Sequence, residues 1–152
     1  MEWTTLLATV LGATIGVGST LLAERMRSAR EAAVSQEARR HDLYAAYLAA
    51  LSRVADELWS LGHGEDRTNL QARAHDVWQR GDVYPLRYQM TIDAPDRIAS
   101  ASDACFRNLR AFRDVVGAGA EGGTDAFLEA QYRYDGALTT LRQGMRSDLE
   151  AA

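Results

Sequence analysis

The sequence contains one cysteine, Cys105, and no lysine, so all 17 basic residues are arginine. A single cysteine cannot form an intramolecular disulfide, which excludes a disulfide framework, and it cannot build a cysteine-based zinc site. The net charge of -4 argues against a nucleic-acid partner, because such a protein needs a basic face to neutralise phosphates. We therefore expect a reducing compartment and no bound nucleic acid.

Sequence motifs for common catalytic and cofactor sites are also missing. There is no Gly-x-Ser-x-Gly, no His-Glu-x-x-His, no Glu-x-x-His and no dinucleotide-binding glycine pattern. Glu37 and His41 lie one helical turn apart and could supply two metal ligands, but a solvated or structural histidine is the simpler interpretation. The sequence predicts no enzymatic activity, no metal and no cofactor.

One long uncharged segment runs from Trp3 to Ala23. Its length of about 20 residues matches what a helix needs to cross a bilayer core. Glu2 precedes the segment, whereas basic residues follow it, and the positive-inside rule then places the N-terminus outside and the C-terminal domain in the cytoplasm. The basic residues are Arg25, Arg27 and Arg30. The charges on both sides argue against a cleaved signal peptide. We expect a single-pass protein of the cell membrane, anchored in lipid by residues 1–23.

Small residues recur every four positions within this predicted membrane helix. They are Ala8, Gly12, Gly16 and Thr20. A stripe of small side chains lets a second helix approach closely, although glycine is also common in membrane helices for other reasons. The stripe predicts a packing face for a homo-oligomer.

Residues 24–43 lack a strong apolar stripe up to Arg40 and are rich in helix-forming residues, which predicts a solvated helical stalk. From Tyr44 onward, apolar residues follow steps of three and four, as in a coiled coil or a bundle helix. They are Tyr44, Tyr47, Leu51, Val54, Leu58 and Leu61. The glycines at Gly62 and Gly64 should end this helix.

A second helix should begin near Asp66 or Thr68, but residues 81–92 are ambiguous. Leu86, Tyr88, Met90 and Ile92 alternate with polar residues as in a strand, while no other segment could pair with such a strand. The sequence leaves helix and strand open here, and a kinked or broken helix is the favoured interpretation.

Two further amphipathic helices complete the pattern. The first carries Ile98, Ser102, Cys105, Leu109, Phe112 and Val116 in steps of four and three, and the second carries Phe127, Leu128, Tyr134, Leu138, Leu141 and Met145 on one side. One should start at Asp93, and the other at Thr124 or Asp125 and continue to about Leu149. The fold class is therefore all-α: a transmembrane helix and stalk, then an antiparallel bundle of about four helices over residues 44–152. The pattern does not distinguish a bundle within one chain from one formed between chains.

Four exposed-type side chains are candidates for partner or lipid contact. Arg107, Arg110 and Arg113 lie on neighbouring helical turns and could bind lipid phosphates or an acidic partner, or could form an ordinary charged surface with nearby aspartates. Trp59 would mark a partner surface if it is exposed, and would otherwise be core.

Three features of the sequence carry a resemblance to known proteins. They are the anchor, the segment Arg-Arg-His-Asp-Leu-Tyr-Ala-Ala-Tyr-Leu at residues 39–48 and the Ile-Asp-Ala-Pro helix start at residues 92–95. The chain resembles single-pass membrane-anchored helical proteins of actinobacteria and their phages. That resemblance implies no particular activity or catalytic residue. The sequence favours a non-enzymatic assembly or adaptor protein that self-associates and binds a protein partner of unknown identity. The alternatives are a membrane-bound sensory or ligand-binding bundle and a phage-type membrane-active protein.

Overall fold

The structure, a computed structural model, describes residues 36–151. This part of the chain forms five α-helices and no strand. We number them α1 (the described residues 36–63), α2 (Leu70–Arg80), α3 (Val83–Asp93), α4 (Asp96–Gly117) and α5 (Asp125–Glu150). The predicted all-α class is confirmed for these residues.

The chain divides into two compact units, residues 1–39 and residues 40–152. The predicted stalk, residues 24–43, spans this division. No helix within the described range is long and apolar enough to cross a membrane. The predicted anchor at residues 1–23, with its small-residue stripe and the following arginines, lies outside the described residues.

The core of the second unit is built from the apolar stripes that the sequence predicts. On α1, Tyr44, Tyr47, Leu51, Val54 and Leu58 are buried, and Leu61 is half-buried. On α4, the buried stripe is Ile98, Ser102, Cys105, Leu109, Phe112 and Val116. On α5 it includes Phe127, Tyr134, Leu138, Leu141 and Met145, whereas the predicted Leu128 is half-buried. These steps of three and four bring each apolar stripe onto one helix face, so the faces meet in one shared core.

Contacts at the two ends of the helices show antiparallel packing. The ring of His63, at the end of α1, meets Phe127 at the start of α5, while Tyr44 near the start of α1 bonds to Asp148 near the end of α5. Phe112 on α4 packs against the same Phe127. Helices α1 and α5 therefore run in opposite directions, and their packing lies within one chain.

The ambiguous segment is a broken helix, as the favoured interpretation predicts. Helix α2 ends at Arg80, Gly81 follows it, and Asp82 takes a left-handed backbone with φ of 54° before α3 begins. Aspartate is among the few non-glycine residues that adopt this conformation readily. Pro85 is the third residue of α3, where a missing N–H costs no helical hydrogen bond.

Two predicted helix starts are close to the observed ones but differ in capping. Asp93 ends α3 instead of capping α4, which begins at Asp96 with the amides of Ile98 and Ala99 donating to the Pro95 carbonyl. Thr124 directly precedes α5, but its hydroxyl donates to the Glu121 carbonyl. Neither helix therefore has the expected side-chain cap.

One arginine holds two helix ends together. The Arg67 guanidinium donates to the carbonyls of Leu61 and Gly62 at the end of α1, and to those of Gly119 and Ala120 after α4. The carbonyls at a helix C-terminus lack helical partners and carry the negative end of the helix dipole. A single cation thus satisfies acceptors from both helices and fixes the loop between α1 and α2.

A buried carboxylate closes the other end of the bundle. Asp148 accepts hydrogen bonds from the Tyr44 hydroxyl at 2.8 Å and from Arg97 at 3.1 Å, and the Arg40 Nε lies 3.4 Å from it. Burial alone would raise the pKa of Asp148, but these hydrogen bonds and the two guanidinium charges hold it below its ordinary value. The charged form of Asp148 therefore links α1, α4 and α5.

Candidate interaction surface

Three aromatic rings meet where α2, α3 and α4 converge. The ring centroids of Trp78 and Phe106 lie 5.2 Å apart, those of Tyr84 and Phe106 lie 5.1 Å apart, and those of Trp78 and Tyr84 lie 5.9 Å apart. The rings are tilted or edge-on to each other, which is the arrangement that aromatic quadrupoles favour. We call these three residues the aromatic junction. They hold the short helix α3 against α4 although α3 has only two buried apolar residues of its own, Val83 and Met90.

Two arginines cover the aromatic junction. The guanidinium of Arg87 lies 4.4 Å from the centre of the Phe106 ring and donates to Asp103 at 2.8 Å. That hydrogen bond raises the pKa of Arg87 above its ordinary value, although burial opposes the shift. The guanidinium of Arg113 lies 4.8 Å from the centre of the Trp78 ring. Both cations sit over ring faces, so they pack as well as carry charge.

The three arginines of the predicted triplet lie in different surroundings. Arg113 is half-buried against Trp78 and forms an ion pair with Asp114. Arg107 and Arg110 are exposed, and neither forms an ion pair with any residue of the described range. Arg107 and Arg110 are therefore available to a partner, whereas Arg113 is already used in packing.

Trp59 belongs to a different part of the molecule. Its side chain is 46% exposed and stacks on His63 with 3.9 Å between ring centroids, and His63 in turn packs edge-on against Phe127. A nitrogen of the His63 ring also hydrogen-bonds the Trp59 carbonyl at 2.9 Å. Trp59 is thus an exposed aromatic residue held at the α1–α5 end, away from the aromatic junction.

A second apolar side of α3 is exposed, and the alternating sequence pattern did not predict it. Tyr84, Tyr88 and Ile92 are spaced four residues apart, and their exposed fractions rise along the helix from 37% to 63% to 81%. We call these three residues the α3 stripe. The four-residue spacing was readable in the sequence, but alternation with Leu86 and Met90 disguised it as a strand pattern. Met90 faces the core and Leu86 is half-buried, so α3 is apolar on two sides.

A surface groove of about 420 Å³ lies between α2 and α4. Its lining includes His75, Arg113, Asp114 and the backbone-rich segment Gly117–Ala118. Arg113 supplies the main positive charge, but Asp114 already neutralises it. No cluster of three or more potential metal ligands occurs among residues 36–151.

The electrostatics of the core do not suggest a reactive group. Burial raises the pKa of Tyr47 to about 12 and that of the Cys105 thiol to about 12, so both stay protonated near neutral pH. Cys105 is fully buried. The groups on which an external molecule could act are therefore those of the surface, above all the α3 stripe and the two free arginines of α4.

Comparisons with protein-family models, with curated proteins and with solved structures find no match to this chain.

Proposed function

We propose that this chain is a non-enzymatic, membrane-tethered assembly or adaptor protein. In this proposal residues 3–23 anchor it in the cell membrane with the N-terminus outside, the stripe Ala8, Gly12, Gly16 and Thr20 packs against other copies, and the helical bundle recruits a partner in the cytoplasm. The uncharged N-terminal segment and its flanking arginines support the anchor and its direction.

The observation that carries the proposal is the exposure of Tyr88 and Ile92 on one side of α3, which packs antiparallel to α4, where Arg107 and Arg110 are exposed towards the amino end of α3. Tyrosine and arginine are enriched among the residues that dominate binding energy in protein interfaces. An apolar row on an otherwise charged surface costs solubility and is a frequent mark of a contact site. The α3 stripe, together with Arg107 and Arg110 of α4, is the best candidate for such a contact.

Site-specific photo-crosslinking in cells tests the partner surface. A photoreactive amino acid replaces Tyr88 in one full-length chain and Tyr132 in a control, because Tyr132 is a 68% exposed tyrosine on α5. We expect discrete crosslinked species from position 88 and not from position 132. Peptides of this chain in those species would indicate self-assembly, and a reproducible second protein would indicate an adaptor. Equal crosslinking from both positions would contradict the proposed surface.

The groove between α2 and α4 favours a second candidate function, a ligand-binding bundle. The imidazole of His75 and the guanidinium of Arg113 both line it, and a small acid that displaces Asp114 from Arg113 would meet both nitrogen groups there. A small acid that raises the melting temperature of the wild type, but not that of His75→Ala, would support this function. Absence of any such shift across a panel of carboxylates and phosphates would count against it.

A further inference from the structure

The α3 stripe lies on a helix whose opposite side is already packed. Val83 and Met90 face the core, and Tyr84 contacts the aromatic junction at the amino end of α3. Towards the carboxyl end, Tyr88 and Ile92 become steadily more exposed. The stripe therefore presents about two helical turns of apolar surface, with its most exposed residue at the carboxyl end.

The relative direction of α3 and α4 places charges at the two ends of this stripe. Tyr84 meets Phe106, and one turn later Arg87 meets Asp103, so the two helices run antiparallel. At about 100° per residue, Arg110 falls between Phe106 and Asp103 around α4, and so on the side that faces α3. Arg110 is thus near the amino end of α3.

The free charges at the two ends have opposite signs. Arg107 follows Phe106 and so also lies near the amino end of α3, which Asp82 directly precedes. Asp93 and Asp96 lie at the carboxyl end, and neither forms an ion pair within residues 36–151. The nearby Arg97 is already bound to Asp148. The surface is therefore basic at one end, apolar in the middle and acidic at the other.

We infer that α3 is a self-association face on which a second copy of this chain docks antiparallel, with Tyr88 near the twofold axis and Tyr84 opposite Ile92 of the second copy. This arrangement brings the basic end of each copy over the acidic end of the other, whereas a parallel arrangement would place like charges together. A twofold axis lets one self-complementary patch serve both chains. The inference rests on the proposed assembly function and adds a contact outside the predicted membrane helix.

The size of the surface sets the strength of this contact. Helix α3 has 11 residues and is about 16 Å long, so the stripe covers less than the roughly 1,000 Å² that a stable interface buries. Such a contact is weak between free chains. Tethering in one membrane raises the effective concentration and makes a weak contact sufficient. The experiment therefore uses the full-length chain in its membrane.

Disulfide crosslinking tests the arrangement, because the native Cys105 is buried and its thiol stays protonated near neutral pH. Four full-length variants carry Tyr84→Cys, Tyr88→Cys, Ile92→Cys or the control Tyr132→Cys. After oxidation, we expect Tyr88→Cys to form several-fold more disulfide dimer than Tyr132→Cys. Tyr84→Cys and Ile92→Cys should crosslink to each other when differently tagged chains are co-expressed. Each alone should crosslink poorly, because residues at equivalent positions would be about 12 Å apart along the helix axes, beyond disulfide reach.

The outcomes separate this inference from the proposed function. If Tyr84→Cys crosslinks efficiently to itself and no mixed dimer with Ile92→Cys forms, the two copies pair in parallel and the inference is overturned. Crosslinking yields of the α3 variants that are no higher than the yield of Tyr132→Cys would also overturn the inference. Protection of Ile92→Cys from a maleimide without any crosslink would indicate that lipid or another protein covers α3, and would overturn it too. In each case, an oligomeric mass of the wild type in detergent would still support the proposed assembly function. A monomeric mass would contradict both that function and the inference about α3.

Discussion

The hydroxyl of Tyr44 donates a 2.8 Å hydrogen bond to the carboxylate of Asp148, and so ties the start of α1 to the end of α5. The side chains are buried, and Asp148 also binds two arginines. Removing one partner of such a network leaves the others without compensation in a region of low dielectric.

Substitutions in this network should destabilise residues 40–152. We expect Tyr44→Phe to lower the free energy of unfolding by about 1–2 kcal/mol, the cost of leaving a charged acceptor without a donor. Asp148→Ala should cost more, about 2–4 kcal/mol, because Arg40 and Arg97 lose their counter-charge. Urea denaturation measures both. Glu150→Gln, an exposed change on the same helix, should stay within about 0.5 kcal/mol of wild type. Equal effects of Asp148→Ala and Glu150→Gln would contradict the network.

The same carboxylate should make stability sensitive to acid. Its pKa is lower in the folded protein than the value of about 3.9 for an unperturbed aspartate. The stabilisation is therefore present above that value, and it is lost as the pH falls through the folded-state pKa. Between about pH 5 and pH 2, Asp148→Asn should lose less stability than wild type does. The difference between the two chains isolates Asp148 from other acid-sensitive groups such as Asp66. Parallel pH profiles would show that Asp148 does not contribute.

Two glycines should respond to alanine in opposite directions. A Cβ at Gly81 would overlap the Cγ2 atom of the buried Val54, whereas one at Gly136 would meet no atom within 4 Å. Gly81→Ala should therefore lower the free energy of unfolding by about 1–3 kcal/mol through overpacking. Gly136→Ala lies inside α5 and should raise it by about 0.5–1 kcal/mol. Thermal unfolding of the two variants gives the comparison. Stabilisation by Gly81→Ala would mean that α1 and the α2–α3 junction are less closely packed.

The long helices were predictable because their stripes are local. Apolar spacing over about five turns identifies α1, α4 and α5, and the residues named from it are buried except Leu61 and Leu128, which are half-buried. Even Ser102 and Cys105, which are weak hydrophobic signals, followed from their place in the α4 pattern. The broken helix at Gly81 was likewise predictable, because no second strand is available to pair with the backbone N–H and C=O groups of a strand there.

Other features could not be predicted because they depend on distant residues. The burial of Asp148 requires Tyr44 and Arg97, which are more than 50 positions away in sequence. Similarly, Arg113 looks like Arg107 and Arg110 in the sequence, and only the position of Trp78 on another helix distinguishes it. The exposure of Tyr88 depends on how α3 rotates against α4. Sequence periodicity marks which residues can share a face, but the neighbouring helices decide which face is covered.

Charge reversal at the ends of α3 should control pairing between copies. In the Tyr88→Cys chain, Arg110→Glu alone and Asp93→Arg alone should each reduce the disulfide dimer several-fold, because each places like charges opposite one another. Co-expression of the two variants should restore a mixed dimer, since opposite charges then face each other. Arg53→Glu, an exposed change on α1, is the control and should leave the yield unchanged. Failure of the mixed pair to recover would contradict the antiparallel arrangement.

The mass of the full-length chain in detergent tests the proposed assembly function most directly. Sedimentation should give a mass of at least two chains for the wild type, and a lower mass for the double variant Gly12→Leu with Gly16→Leu, since leucines would separate the small-residue faces. Thr14→Leu with Gly18→Leu is the matched control, because those positions lie about 200° around the same predicted helix. It should keep the wild-type mass. A single-chain mass for the wild type at every concentration would contradict the account.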